Sequence, residues 1–253
     1  MDASYHLTTC LTPGPFKAAL SKNGRRPYSL REQRDISGHP TRKSHDCQSV
    51  GYPFGNRLTA RSSIHHNTPM RVIAGEAKGR RLRGPRGVQT RATADKVKGA
   101  LFNILADRII GLRMLDLFAG TGAVGIEALS RGAAHVDFVE SDEESVELLE
   151  DNLTACGFMD RASIHRSDAF RFIKKEADAP YALVFADPPY YAWQIKKLLP
   201  VLGRGDILSP GGLAVVEHFR KTDVPEAIGR LRRLRTYEYG GTVLTFYERL
   251  ETE

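Results

Sequence analysis

The sequence predicts an α/β fold with a doubly wound, mostly parallel sheet of seven strands. Five short apolar runs alternate with segments of helical spacing, a pattern typical of parallel sheets whose helices cover both faces. Two further apolar runs close the chain and are separated only by Gly240-Gly241. A two-glycine turn between such runs predicts a C-terminal antiparallel hairpin.

The predicted elements follow one another from residue 93 onwards. Val97, Leu101 and Leu105 repeat at helical spacing, so a helix is expected first. A second helix is expected from Ala123 to Ser130, after the first strand. The strands themselves are expected at residues 113–118, 134–139, 162–165, 181–186 and 212–217, with the hairpin at 234–239 and 242–248.

Charge divides the chain into three segments, at residues 1–69, 70–108 and 109–253. The middle segment holds 10 basic and 3 acidic residues, whereas the last holds 17 basic and 23 acidic residues. Clustered positive charge beside an acidic carboxyl-terminal segment is typical of a surface that binds a phosphate backbone. We expect such contacts, rather than a merely solvated face, at Lys78, Arg80, Arg81, Arg83 and Arg86.

The segment 1–69 lacks sustained helical or strand periodicity and is scattered with Pro, Gly, Ser, His and Arg, which predicts disorder. Three interpretations stay open. It could be an organelle transit peptide, a tail that binds RNA, or the product of a start assigned too far upstream, with Met70 the true start.

Composition also limits the class of protein. No apolar stretch approaches the length of a transmembrane helix, so no membrane association is expected. Cys10, Cys47 and Cys156 show no spacing of metal ligands or of a disulfide framework. We therefore expect a cytoplasmic protein without a metal, and the absence of heptads or repeats favours a monomer.

Asp187-Pro188-Pro189-Tyr190 ends the apolar run 181–186. Proline has no N–H for a sheet ladder and biases the preceding residue towards extended geometry. A stiff loop is therefore expected at the carboxyl end of a strand, where open α/β sheets bind their ligands. It can aim a carboxylate and a carbonyl at an exocyclic amino group, with an aromatic ring beside them. A simple strand-ending turn is the alternative.

A glycine-rich turn, Gly120-Thr121-Gly122, lies between the first predicted strand and its helix, and Glu140 ends the next apolar run. An acid at that place can accept hydrogen bonds from ribose hydroxyls. Both a dinucleotide and S-adenosylmethionine fit this pattern. Asp116, just before the turn, favours S-adenosylmethionine, because it can hold a cation but would repel a pyrophosphate.

Combined in this order with Ser167-Asp168-Ala169-Phe170, these motifs resemble those of class I amino-methyltransferases. The segments 70–82 and 91–103 narrow the match to the bacterial family that methylates N2 of a guanine in 16S ribosomal RNA. The resemblance begins at about Met70 and runs to the end of the chain. One departure is Gly99, where the family usually has a charged residue.

The resemblance implies S-adenosylmethionine as cofactor and 16S ribosomal RNA, within a small-subunit particle, as partner. It implies catalytic roles for the loop Asp187, Pro188, Pro189 and Tyr190. The implied cofactor contacts are Arg91, Thr93, Asp116, Phe118, Ala119, Gly120, Thr121, Gly122, Glu140, Asp168 and Ala169. Thr93 could equally be the cap of its helix. Methylation of DNA adenine N6, or another nucleic-acid amino group, stays open as the alternative function.

Overall fold

The computed structural model describes residues 70–85, 92–174, 180–189 and 192–251. The helices are α1 (Ala92–Leu105), α2 (Ala123–Ser130), α3 (Glu143–Cys156), α4 (Ala169–Phe172) and α5 (Ala192–Arg204). The strands are β1 (Arg113–Leu117), β2 (His135–Glu140), β3 (Ala162–Arg166), β4 (Tyr181–Ala186), β5 (Leu208–Phe219), β6 (Ala227–Ile228), β7 (Leu231–Tyr239) and β8 (Thr242–Arg249).

These strands form one sheet in the order β3-β2-β1-β4-β5-β8-β7-β6. Strands β1 to β5 pair with one another in parallel. The pairs β5–β8, β8–β7 and β7–β6 are antiparallel. The predicted α/β fold, with a mostly parallel sheet and a terminal hairpin, is confirmed. The sheet has one strand more than expected, because the two-residue β6 pairs with the start of β7.

Alternate residues of the central strands pack on opposite faces of the sheet, as the pleat requires. Met114 of β1 joins the core on one face with Leu101 of α1 and Ile126 of α2. Its neighbour Leu115 joins the other core, with Leu198 of α5. Helices therefore cover both faces of the sheet, as in other doubly wound folds.

The order within the terminal hairpin was not predicted. Strand β8 lies inside, between β5 and β7, and its residues 243–247 are all buried. Strand β7 carries Arg232, Arg233 and Arg235, so it suits a position nearer the edge, where long charged side chains reach water. Burial of the more apolar strand decides which half of the hairpin pairs with the parallel part.

Three predicted boundaries need correction. Strand β7 begins at Leu231, three residues before the expected start at 234. Strand β5 begins at Leu208, four residues before the expected start at 212, because its first residues already pair with Tyr181. Helix α1 begins at Ala92, so Thr93 lies inside the first turn and does not occupy the cap position. The helix predicted from Ala123 to Ser130 is confirmed.

Residues 70–85 form a short two-stranded ribbon that is tied to α2 by a buried carboxylate. Glu127 is fully buried, and its oxygens accept hydrogen bonds from the backbone N–H groups of Ile73 at 2.7 Å and Ala74 at 3.0 Å. The Nε of Arg131 donates to it at 2.7 Å, and the buried Lys98 ammonium lies 3.5 Å away. The ribbon is therefore held by charge and hydrogen bonds as well as by apolar packing.

Glu127→Ala should lower the free energy of unfolding by about 3–5 kcal/mol, because it leaves a buried ammonium and two backbone donors without their partner. Urea unfolding at neutral pH measures the change. Glu150→Ala removes an exposed carboxylate from α3 and should change stability by less than about 0.5 kcal/mol. Equal, small effects of both substitutions would contradict the role assigned to Glu127.

Candidate active site

The carboxyl ends of β1, β4 and β5 meet in a cleft of about 260 Å³. Leu117, Ala186 and Val216 are ladder partners across these three strands, so β1 and β4 end at the same level, and β5 runs three residues further, to Phe219. Helix α1 closes the opposite wall with Asp95, Lys98 and Leu101. The predicted loop after β4 and the predicted glycine turn after β1 are thereby brought to one place.

The glycine turn begins with a residue in an unusual conformation. Phe118 has φ +60, in the left-handed region, which costs a non-glycine residue on the order of 1 kcal/mol or more. Gly122 follows at φ +79 and begins helix α2. A Cβ on Gly122 would overlap the side chain of Leu149. The turn therefore depends on glycine for both its backbone conformation and its packing.

Asp116 forms the buried floor of the cleft. Its side chain is only 2% exposed, and its Oδ2 accepts a hydrogen bond of 2.9 Å from the N–H of Gly125 in α2. Burial raises the pKa of Asp116 to about 8, the hydrogen bond lowers it, and the nearby Asp187 and Glu140 add to the rise. The protein therefore holds this carboxyl where its charged form is disfavoured.

Asp187 and Glu217 occupy the wall of the cleft above Asp116. Asp187 is exposed at the mouth, yet the surrounding walls desolvate its carboxyl and raise its pKa to about 6. Glu217 is half-buried, and burial together with the Asp187 charge raises its pKa to about 8. Three carboxyl groups with raised pKa values thus face one cavity.

Such a site favours a ligand that carries positive charge, because a cation relieves the repulsion and desolvation of the carboxylates. A pyrophosphate would add negative charge and is disfavoured. A metal could supply positive charge too. Within residues 70–85, 92–174, 180–189 and 192–251, however, no group of three or more His, Cys, Asp or Glu side chains has an arrangement that could hold a metal ion.

Glu140 lies at the end of β2 and links the loops around the cleft. One carboxylate oxygen accepts from the N–H of Gly120 at 2.8 Å. The other accepts from the N–H groups of Ser141 at 2.7 Å and Asp142 at 2.8 Å. The Ser141 hydroxyl lies 3.5 Å from that second oxygen and takes the last of the about four acceptor positions of a carboxylate. Glu140 therefore fixes the glycine turn mainly through backbone hydrogen bonds.

Asp168 and Ala169 lie one strand further along the same edge, after β3, and are not among the described residues that line the cleft. The Oδ1 of Asp168 accepts from the N–H of Arg171 at 2.9 Å and so caps α4. Ala169 is buried behind it in the second core.

The predicted basic residues lie on the ribbon that Glu127 holds. Lys78, Arg80 and Arg81 are exposed, and Arg71 and Arg81 pair across the ribbon. Arg83 is also exposed, with its guanidinium 2.5 Å from Asp151 of α3. The predicted residues Arg86, Arg91 and Tyr190, and the side chain of Thr93, lie outside what the structure describes.

Sequence reasoning missed Glu217 and Lys98 as residues of the cleft. The signal for Glu217 was present, because it ends the apolar run 213–216 just as Asp187 ends 181–186 and Glu140 ends 135–139. Lys98 gave no such signal, since a lysine in a basic amphipathic helix is usually exposed. Its burial depends on Glu127, 29 positions later in the chain.

No helix among the described residues is long and apolar enough to cross a membrane. A family model described as "Conserved hypothetical protein 95" matches residues 70–248, which span the ribbon, the cleft and nearly all of the hairpin. The chain belongs to this family.

Several proteins that are similar to this chain are named as ribosomal RNA methyltransferases. Ribosomal RNA small subunit methyltransferase D of Escherichia coli (strain K12) is 32% identical over 180 residues, covering 71% of this chain and 90% of that protein. Bacillus subtilis (strain 168) YlbH, named only provisionally as an rRNA methyltransferase, is 39% identical over 182 residues, covering 71% and 99%. The solved structure of Escherichia coli yhhF, which is named provisionally as a methyltransferase, has a TM-score of 0.65 at 32% identity. The match covers 72% of this chain and 98% of that one.

Asp116→Asn should stabilise the ligand-free protein at high pH. The pKa of Asp116 is raised on folding, so its contribution to stability is present below the unfolded value near 4 and is lost as the pH rises towards about 8. Asparagine carries no charge to desolvate, and its amide oxygen can still accept from Gly125.

Urea unfolding at pH 5 and pH 8.5 tests this expectation. The free energy of unfolding of Asp116→Asn, relative to that of the unsubstituted protein, should increase as the pH rises. A difference that is independent of pH, with both proteins folded, would contradict the raised pKa.

Proposed function

We propose that this protein transfers a methyl group from S-adenosylmethionine to the exocyclic N2 of a guanine in 16S ribosomal RNA. The observation that carries the proposal is the acidic cleft, in which Asp116 and Asp187 line one cavity beside a glycine turn. Family membership supports rRNA methylation in particular, since several relatives are named ribosomal RNA small subunit methyltransferase D. These names do not favour the DNA adenine alternative.

The chemistry of the cleft fits this cofactor. S-adenosylmethionine carries a sulfonium and an ammonium group, and when bound it supplies an electrophilic methyl group. Asp116 and the turn 118–122 would hold its methionine part, including Phe118, Ala119, Gly120, Thr121 and Gly122. Glu140 would accept from the ribose, Asp168 and Ala169 would border the adenine, and Arg91 and Thr93 would lie near the methionine carboxylate.

The loop after β4 would hold the base. The lone pair of guanine N2 is delocalised into the ring, so N2 is a poor nucleophile. The Asp187 carboxylate and the Pro188 carbonyl can accept its two hydrogens and favour a pyramidal nitrogen, with Pro189 stiffening the turn. Catalysis would then come mainly from alignment of N2 with the methyl group. Tyr190 would stack on the base, a contact of roughly 1–3 kcal/mol.

Asp187 is also suited to accept the proton that N2 loses after transfer. Its pKa is raised to about 6 by desolvation, which makes it a stronger base than an ordinary aspartate while it stays largely ionised at neutral pH. The same group can thus orient the amino group before the reaction and take its proton afterwards.

The basic ribbon would contact the RNA backbone. Lys78, Arg80 and Arg81 are exposed on a segment tied to α2, so their charges have defined positions relative to the cleft. We propose that the substrate is RNA within a small-subunit particle, that the enzyme acts as a monomer, and that it works in the cytoplasm. Arg83 and Arg86 would extend the same surface.

Asp187→Ala should lower methyl transfer by at least about a hundredfold, because positioning and hydrogen bonding of N2 are lost together. Affinity for S-adenosylmethionine should change little, since the floor and the glycine turn are untouched. The assay is incorporation of labelled methyl into small subunits from a strain lacking the enzyme, followed by nucleoside analysis.

Asp160→Ala is the matched control, because it removes an exposed carboxylate on the short helix before β3. It should methylate at the normal rate. A normal rate for Asp187→Ala, or a product other than N2-methylguanine from the unsubstituted enzyme, would contradict the proposed function.

Replacing Lys78, Arg80 and Arg81 together by Ala should weaken RNA binding and flatten its dependence on salt, because fewer counterions are released. Binding to small-subunit RNA at several salt concentrations measures both effects, and calorimetry measures cofactor affinity, which should not change. The control is Arg204→Ala with Arg220→Ala, two exposed arginines outside the ribbon. An equal change of slope in both proteins would show that the ribbon has no special role.

A further inference from the structure

Glu217 lines the cleft but has no part in the mechanism above. It ends the apolar stretch of β5, and the hydrogen-bonded ladder fixes its level. Ala186 of β4 and Val216 of β5 are partners. Asp187 directly follows the last residue of β4, and Glu217 follows Val216 within β5. Neighbouring strands lie about 4.8 Å apart.

The two side chains also share a face of the sheet. Phe185 and Val215 lie two residues earlier on β4 and β5, and both belong to the core beneath α1. Because side chains alternate along a strand, Asp187 and Glu217 follow on that same side. Their presence in one cavity agrees with this alternation.

The hydrogen-bonding pattern of guanine distinguishes the two sides of N2. N3 lies on the side of N2 next to the sugar and is an acceptor, whereas N1–H lies on the other side and is a donor. Glu217 lines the same cavity as Asp187. A carboxyl group that accepts a hydrogen bond beside Asp187 therefore matches N1–H.

Guanine offers two nearly parallel donors there, N1–H and N2–H, and two adjacent carboxyl groups offer the matching acceptors. We propose that Glu217 accepts a hydrogen bond from N1–H of the target guanine while Asp187 engages N2. Glu217 would then be a second residue that contacts the base and sets its orientation. This inference rests on the proposed function, because it assumes that guanine N2 is the methylated group.

The protonation state of Glu217 does not alter the contact. Its pKa is raised by burial and by Asp187, so a neutral form is accessible near pH 7. A carboxyl group in either form keeps an oxygen that can accept from N1–H. The neutral form adds an O–H donor, which can point to the adjacent O6 of guanine. Glutamine offers the same acceptor and donor pair, so it is the conservative replacement.

The test compares two substrates and three variants. Small subunits are assembled with RNA that carries either guanine or 1-methylguanine at the target position, which is first located by mass spectrometry of the methylated RNA. The variants are Glu217→Ala, Glu217→Gln and the control Glu238→Ala, which removes an exposed carboxylate from β7 outside the cleft. Turnover, KM and cofactor affinity are measured for each.

On guanine, Glu217→Ala should lower kcat/KM by about 10- to 100-fold, as expected when the buried N1–H donor is left without its partner. Glu217→Gln should stay within about tenfold of the unsubstituted enzyme, and Glu238→Ala should match it. Affinity for S-adenosylmethionine should stay within about threefold in all three variants.

The 1-methylguanine substrate decides where Glu217 points. Its methyl group replaces the N1 hydrogen and would collide with the Glu217 side chain, so the unsubstituted enzyme should methylate it at least about a hundredfold more slowly than guanine. Alanine leaves room for that methyl group, and the ratio between the two substrates should shrink at least about tenfold in Glu217→Ala.

An unchanged ratio in Glu217→Ala, a normal rate on guanine, or a parallel loss of cofactor affinity and activity would each overturn the inference. These results are separable from failure of the proposed function. If the unsubstituted enzyme makes no N2-methylguanine, the proposed function itself fails. If the unsubstituted enzyme makes N2-methylguanine but the Glu217 variants give one of the three contradicting results, the proposed function stands and the role of Glu217 is wrong.

Discussion

The desolvated carboxyl of Asp116 is the constraint on which the cleft depends. It lies at the end of β1 and accepts from the N–H of Gly125, so it connects the central strand to helix α2. Gly125 has to be a glycine here, because a Cβ would overlap the ring of Phe138 and crowd Asp116. The close approach of helix and strand therefore brings an acid into a position where its charge is unfavourable.

The position of these acids has a consequence for stability. Asp116, Asp187 and Glu217 all have raised pKa values, so the cleft is less stable than an apolar one of the same shape would be. A cationic ligand beside Asp116 would offset part of this cost by pairing with the carboxylate at the floor. Sites of this kind exchange some folding stability for function.

A second buried carboxylate, Glu127 of α2, differs from Asp116 because it stabilises the structure around it. It is fully buried but fully partnered, by two backbone N–H groups, Arg131 and Lys98. Burial lowers the pKa of Lys98, while the charge of Glu127 raises it. The pair thus stabilises the contact between the basic ribbon and the methyltransferase-like core. The two buried acids thus differ in their partners: Glu127 has four, whereas Asp116 accepts one hydrogen bond, from Gly125, and faces the cleft.

Local chemistry made much of this molecule predictable. The glycine turn, the proline loop after 181–186 and the two-glycine hairpin follow from backbone restrictions that act within a few residues. Alternation of apolar runs with segments of helical spacing predicted the parallel sheet, because helices that connect parallel strands cover its faces. The places of Asp116, Glu140 and Asp187 at strand ends were predictable for a similar local reason, since each directly ends or precedes a recognisable turn.

The sequence by itself determined the fold class, the location of the candidate site at the carboxyl ends of the strands, and the resemblance to amino-methyltransferases. Only the tertiary structure decided that β8 lies inside β7, that Lys98 is buried, and that Glu217 joins Asp187. Each of these depends on partners tens of residues away: Lys98 on Glu127, Glu217 on the register between β4 and β5, and β8 on the buried face of β5. Local pattern carries no information about such pairings, because packing chooses among strands and side chains that look alike in sequence.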